Sequence, residues 1–218
     1  MKLNGMEVFQ DLSVDSLIDI KKLREKIIKQ VGNGWTHDKK RENTISDEIL
    51  ADDDVIVFHR NAFDDVDESI LILWQKQNSY YVTNIVPSNV GELGVSKYNI
   101  IINDFVDRVI SPLKEKGDLD FKLSTKLKNI EDWLDMPSAN ALISFSKLAN
   151  KSTRASHPSD QKRWVSFLIQ AHQSSATLDS SELFRWLVEV GKWPDEIASD
   201  LAIDYEFSRE LLKEYDKR

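Results

Sequence analysis

The chain has 218 residues, with 29 Lys and Arg against 37 Asp and Glu, a net charge of −8. That balance excludes a generally basic surface for coating nucleic acid or an anionic membrane. The absence of cysteine excludes disulfides, thiolate zinc sites and cysteine nucleophiles, while the ordinary 41% apolar share fits a folded chain.

No apolar segment follows Lys2, so no secretory signal is expected. The longest apolar run, Ile70 to Trp74, is far short of the roughly 20 residues that span a bilayer. The expected location is the cytoplasm.

In chain order, Val14, Leu17, Ile20, Leu23, Ile27 and Val31 recur at helical spacing and predict a first helix over 13–31. Ser13 is its expected N-cap and Gly32 its stop. Residues 32–54 are polar and show no period. Three β-branched and aromatic runs then predict strands at 55–58, 70–74 and 80–86. Asn78 and Ser79 mark a turn between the last two. Tyr98, Ile101, Ile102, Phe105 and Val109 form one stripe of a second helix, which Pro112 ends or kinks. A short edge strand is expected within 118–123.

Beyond residue 124 the strand signal stops. Helical stripes follow around Leu142 and Phe145, around Trp164 and Phe167, around Leu183 and Trp186, and from Pro194 onward. Asp179 and Glu182 have capping-box spacing. The expected fold is α+β. A three-stranded antiparallel meander with two flanking helices occupies 1–124, and a helical bundle occupies 125–218.

Three features bear on function. The first is an acidic tract. Between Asp47 and Glu68 there are nine acids and one base, Arg60, so these 22 residues alone carry −8. Asp52, Asp53 and Asp54 precede the first strand; Asp64, Asp65, Asp67 and Glu68 follow it. Dense carboxylates imitate a phosphate backbone and steer basic partners. The leading expectation is therefore a non-catalytic interaction or regulatory protein with a basic protein partner. An antitoxin, an immunity protein or an accessory subunit of a bacterial, defence-like complex fits this description. The tract also permits a plain solvated loop. A third reading is a metal-dependent phosphodiesterase using His59, Asp64, Asp65 and Lys76. Strand residues Gln75 and Lys76 give it a resemblance to restriction-type nucleases. The two are adjacent, however, and so point to opposite faces of a strand. No resident metal or cofactor is expected.

The second feature is basic. Lys151, Arg154, Lys162 and Arg163 surround the helix start at Pro158, where free N–H groups favour anions. They are the candidate contacts for an anion or nucleic acid. The third is Glu196 to Asp204, which resembles the opening of a helix-turn-helix, with Ala202 at the turn glycine. Glu206 and Glu210 suit phosphates poorly there, and one continuous helix explains the same spacing. The phosphate-binding glycine motifs, the helical zinc-protease motif and the Gly-x-Ser-x-Gly elbow are absent.

Overall fold

A computed structural model describes residues 5–48, 54–89, 91, 93–153, 156–174 and 176–218. The chain is α+β and divides into two compact units. One is Glu7–Lys126; the other comprises Leu127–Arg218 together with Gly5 and Met6. A short two-stranded sheet pairs β1 (Met6–Glu7) with β8 (Leu127–Lys128).

The first unit is built on six antiparallel strands. They are β2 (Leu12–Ser16), β3 (Trp35–His37), β4 (Val55–Arg60), β5 (Ser69–Lys76), β6 (Ser79–Pro87) and β7 (Leu119–Leu123). Their order is β3-β4-β5-β6-β2-β7. The expected three-stranded sheet is thus twice as wide. The N-terminal β2 inserts between β6 and β7, with Ser13 opposite Tyr81 on one side and Lys122 on the other.

The expected helix over 13–31 is shorter, α1 (Ile20–Gln30), capped by Asp19, whose carboxylate accepts from the amides of Lys21 and Lys22 at 3.1 Å each. Leu12, Val14 and Ser16 are buried alternately with Ser13 and Asp15, which is strand periodicity. Val14 matched the helical spacing by coincidence, and Leu17 of the same stripe is exposed. The polar stretch without a visible period holds β3 and α2 (Lys39–Glu48).

One face of the sheet carries the main core, and the other is covered over β4. Leu23 and Ile27 of α1 and Ile101, Ile102 and Phe105 of α3 (Val95–Phe105) join Ile56, Phe58, Leu71, Leu73 and Tyr80 in the main core. Val55, Val57 and Ile70 point the other way and receive Ile45 of α2. Burial on two sides explains why β4 reads as a continuous apolar run. Helix α3 continues through a π-helical turn, Val106–Ile110, into α4 (Ser111–Glu115). Pro112 supplies no N–H to the ladder, and the wider turn absorbs the missing bond.

The second unit contains α5 (Met136–Leu148), α6 (Pro158–Gln173), α7 (Ser180–Glu189) and α8 (Asp195–Asp216). Its core is aromatic. Phe145 contacts Trp164 at 4.9 Å and stacks on Trp193 at 5.2 Å; Phe167 stacks on Tyr205 at 5.8 Å. The Asp179–Glu182 capping box is formed at the start of α7. No described helix is long and apolar enough to cross a membrane.

Candidate functional site

The acidic tract is split by the strand it brackets. Asp54 lies at one end of β4, and residues 64–68 lie at the other, roughly 20 Å away at about 3.3 Å per residue. Asp52 and Asp53 lie outside the described residues. Asp54 is partly exposed but is engaged by its own unit. Its carboxylate accepts from Arg24 Nε at 2.8 Å and from the Tyr80 hydroxyl at 3.0 Å.

The β4–β5 connection presents the remaining acids on a fixed frame. Phe63 and Val66 exchange backbone hydrogen bonds at 3.0 and 2.9 Å, which leaves Asp64 and Asp65 as a two-residue tip. Asp64 takes φ +49°, a conformation that aspartate tolerates better than most residues. Val66 is buried beneath the tip, and the Arg60 guanidinium lies 4.1 Å from the Phe63 ring. Asp64, Asp65, Asp67 and Glu68 are all exposed. Asp67 approaches Lys97 at 3.5 Å, and Glu68 lies 3.7 Å from His59 Nε2. Asp64 and Asp65 form no ion pair with any described residue.

The residues of the phosphodiesterase reading do not converge. His59, Asp64 and Asp65 lie at the Ile70 end of β5, because His59 pairs with Ile70. Lys76 is at the opposite end, paired with Ser79. Among the described residues, no group of three or more histidines, aspartates and glutamates is arranged to hold a metal ion.

The basic stretch is likewise dispersed. Lys151 donates to the Gly191 carbonyl and lies over the Trp193 ring at 5.9 Å, a structural role. Arg163 is bound to Asp160 at 2.7 Å, and Asp160 also accepts from the Asn150 amide at 3.2 Å. Arg154 lies outside the described residues. Only Lys162 among the described members is exposed and without an ion pair; it lines a groove of 700 Å³ between α5 and α6 with Asn140, Ser144 and Ser159. Ala202, the expected turn position of a helix-turn-helix, lies within the uninterrupted helix α8.

No family model, curated protein or solved structure matches this chain.

Two partly buried charge networks in the sheet unit have no short-range sequence signal. In the first, Asp104 accepts from Trp35 Nε1 at 2.7 Å, Arg60 Nε at 2.8 Å and Arg108 Nε at 2.5 Å. Burial raises the Asp104 pKa, but the hydrogen bonds from Arg108, Trp35 and Arg60 outweigh it and hold the carboxyl below its ordinary value. The second network runs Tyr80–Asp54–Arg24–Glu42–His37. Arg24 meets Glu42 at 2.6 Å, and Glu42 meets His37 Nε2 at 2.6 Å. Glu42 also accepts from the Val57 amide at 3.3 Å. Burial and the neighbouring Asp54 push the Tyr80 hydroxyl well above its ordinary value.

These networks seat polar groups inside the fold. Glu42 satisfies the N–H of Val57 where β3 no longer pairs with β4, and Asp38 donates its amide to the Val57 carbonyl at 2.9 Å. Asp104 fixes Arg60, which in turn supports the base of the acidic tip. The sequence signal for them was weak, because each member comes from a different element and no short spacing links them.

Gly34 shows how tightly Arg60 is held. It has φ +93°, and a Cβ there would lie 1.9 Å from Arg60 Nη1. Gly34→Ala is expected to destabilise the protein by about 1–3 kcal/mol through backbone strain and displacement of Arg60. A chemical-denaturation midpoint equal to wild type would contradict this.

Proposed function

We propose that the chain is a non-catalytic interaction protein of the cytoplasm, of the antitoxin, immunity or accessory-subunit kind, which docks a basic partner protein through Asp64, Asp65, Asp67 and Glu68. The observation that supports this reading is the hairpin tip. Four exposed carboxylates stand on a backbone fixed by Phe63, Val66 and Arg60, and Asp64 and Asp65 form no ion pair with any described residue. A pre-ordered tip loses little entropy on docking, and its negative field accelerates encounter with a positive surface. Asp54, expected in the same surface, is left out of the proposal because Arg24 and Tyr80 hold it.

The test is co-purification of partners from the native host, followed by binding to the recovered protein at several salt concentrations. Asp64→Lys with Asp65→Lys is expected to weaken binding by at least about tenfold and to flatten its salt dependence. Both positions are exposed, so the thermal midpoint should fall only slightly, by the cost of seating Lys at the positive φ of residue 64. Unchanged affinity would rule out this surface.

The phosphodiesterase alternative requires His59, Asp64, Asp65 and Lys76 at one point, and β5 separates Lys76 from the others. The DNA-reading alternative requires a turn near Ala202, where α8 is continuous. Neither has a specific geometric observation in its favour.

A further inference from the structure

Strand β7 is the last strand of the sheet and has a neighbour on one side only. Its pairing with β2 decides which backbone groups face outward. Ser124 donates its amide to the Asp11 carbonyl at 2.9 Å, and Leu17 donates to the Asp118 carbonyl at 3.1 Å. Between those bonds, Asp120 and Lys122 lie opposite Asp15 and Ser13 and turn their backbone the same way, toward β2. Leu119, Phe121 and Leu123 therefore turn their N–H and C=O groups away from the sheet. Among the described residues no backbone group meets them. The Phe121 amide is answered by the carboxylate of its own neighbour, Asp120, at 2.8 Å. The apolar layer is open at the same edge, because Phe121 and Leu123 pack against the main core but are only partly buried. An unpaired edge of this kind is a template for a further strand.

The side chains of β7 identify the strand that fits. Its five residues read Leu-Asp-Phe-Lys-Leu, and Asp120 and Lys122 are its only charges, so the segment is neutral. Laid antiparallel against itself and centred on Phe121, it sets Leu119 against Leu123, Asp120 against Lys122 and Phe121 against Phe121. Acid faces base and apolar faces apolar at every position. Within one copy Asp120 stands opposite Asp15, and like charges directly opposite are destabilising. A lysine on the free side of Asp120 offsets that repulsion.

We infer that the outer edge of β7 is a self-association surface, on which β7 of two copies pairs antiparallel about a two-fold axis at Phe121 and makes the two sheets continuous. The interface is isologous. Leu119, Phe121 and Leu123 exchange N–H···O=C bonds with Leu123, Phe121 and Leu119 of the second copy. Asp120 meets Lys122 of the second copy at a non-hydrogen-bonded position, where facing side chains approach most closely, and this contact occurs twice. In the exchange Asp120 gives up the Phe121 amide and Lys114, whose ammonium lies 2.7 Å from it and 4.9 Å from the Phe121 ring. Both members of that ion pair are exposed, so it costs little to rearrange. The edge is separate from the acidic hairpin, and the inference does not rest on that surface.

The test is sedimentation equilibrium of the full chain over a concentration series, joined to amide hydrogen exchange at high and low concentration. Wild type is expected to form dimers. In the dimer the amides of Leu119, Phe121 and Leu123 should exchange at least about tenfold more slowly than in the dilute monomer, while those of Asp120 and Lys122, which already face β2, change little. Lys122→Glu is expected to raise the dimer dissociation constant at least about tenfold with circular dichroism unchanged. Asp120→Lys combined with Lys122→Glu should restore association, because acid again faces base. Since the chain has no cysteine, single cysteines report orientation cleanly. Lys122→Cys should cross-link to its own copy with a short bis-maleimide, whereas Asp65→Cys on the acidic hairpin should not. A chain that stays monomeric at every concentration overturns the inference, including one whose edge receives a strand from a different protein. So does association that leaves the Phe121 amide unprotected, is indifferent to Lys122→Glu, is not rescued by the charge exchange, or cross-links efficiently through Asp65→Cys.

Discussion

Asp104→Ala is expected to destabilise the sheet unit by about 3–5 kcal/mol, the cost of breaking a buried ion pair by removing one partner. The Arg60 side chain is 5% exposed and its Nε donates to Asp104 at 2.8 Å. Without the carboxylate its charge is left buried beside Trp35 and Phe63 with no counter-ion. The Trp35 indole N–H, 2.7 Å from Asp104, loses its acceptor at the same time. Urea unfolding should show a lower midpoint at an unchanged slope, and a midpoint within experimental error of wild type would refute the role assigned to Asp104.

The same residue carries a pH signature. Its folded pKa lies below the ordinary value, so the folded state binds fewer protons than the unfolded chain in that interval. Stability from Asp104 is therefore complete above the unfolded pKa of about 3.9 and is lost as pH falls through the folded value. Asp104→Asn keeps an acceptor but cannot ionise. It should start less stable at neutral pH and lose less on acidification below about pH 4. An acid-stability profile parallel to that of wild type would exclude Asp104 as the titrating group.

Glu42→Ala is the second large effect, expected at about 2–4 kcal/mol. Glu42 is buried and answers three groups: Arg24, His37 and the amide of Val57. Arg24 is partly exposed, so water recovers some of its loss, which sets this figure below that for Asp104. The Val57 amide lies on a buried strand and has no such recourse. Its hydrogen exchange should accelerate in the variant more than that of the β4–β5 ladder amides. Equal protection of the Val57 amide in both proteins would show that Glu42 does not close the edge of β4. The variant also exposes an unpaired strand edge, and its tendency to aggregate should rise.

How far these features were legible depends on whether their signal is local. The strands at 55–58, 70–74 and 80–86 announced themselves through consecutive β-branched and aromatic residues, and the α7 capping box through a spacing of three. Strand β2 did not, because Val14 satisfies a period of two and a period of 3.6 equally well over so few residues. Its strand character comes from pairing with Tyr81 and Phe121, far along the chain. Strand β3 is three residues long and polar at Thr36, too short for any period to show. The acidic tract was visible as a count of charges, but its division was not. Asp54 and Asp64 look equivalent in the sequence. One is drawn to Arg24 and Tyr80, and the other sits on an exposed tip.

By itself the sequence determined the α+β class, the helical second half, the apolar runs of the central strands and the places where acids accumulate. These depend on composition and on spacing within a few residues, which the backbone of a single element converts directly into burial. Tertiary structure alone decided the width and order of the sheet, the two networks centred on Asp104 and Glu42, which acids face solvent, and which strand edge remains unpaired. Each of those depends on residues brought together from distant parts of the chain. Short-range spacing carries no record of such pairings, because they are selected by the burial and hydrogen bonding of the whole unit rather than by any one segment.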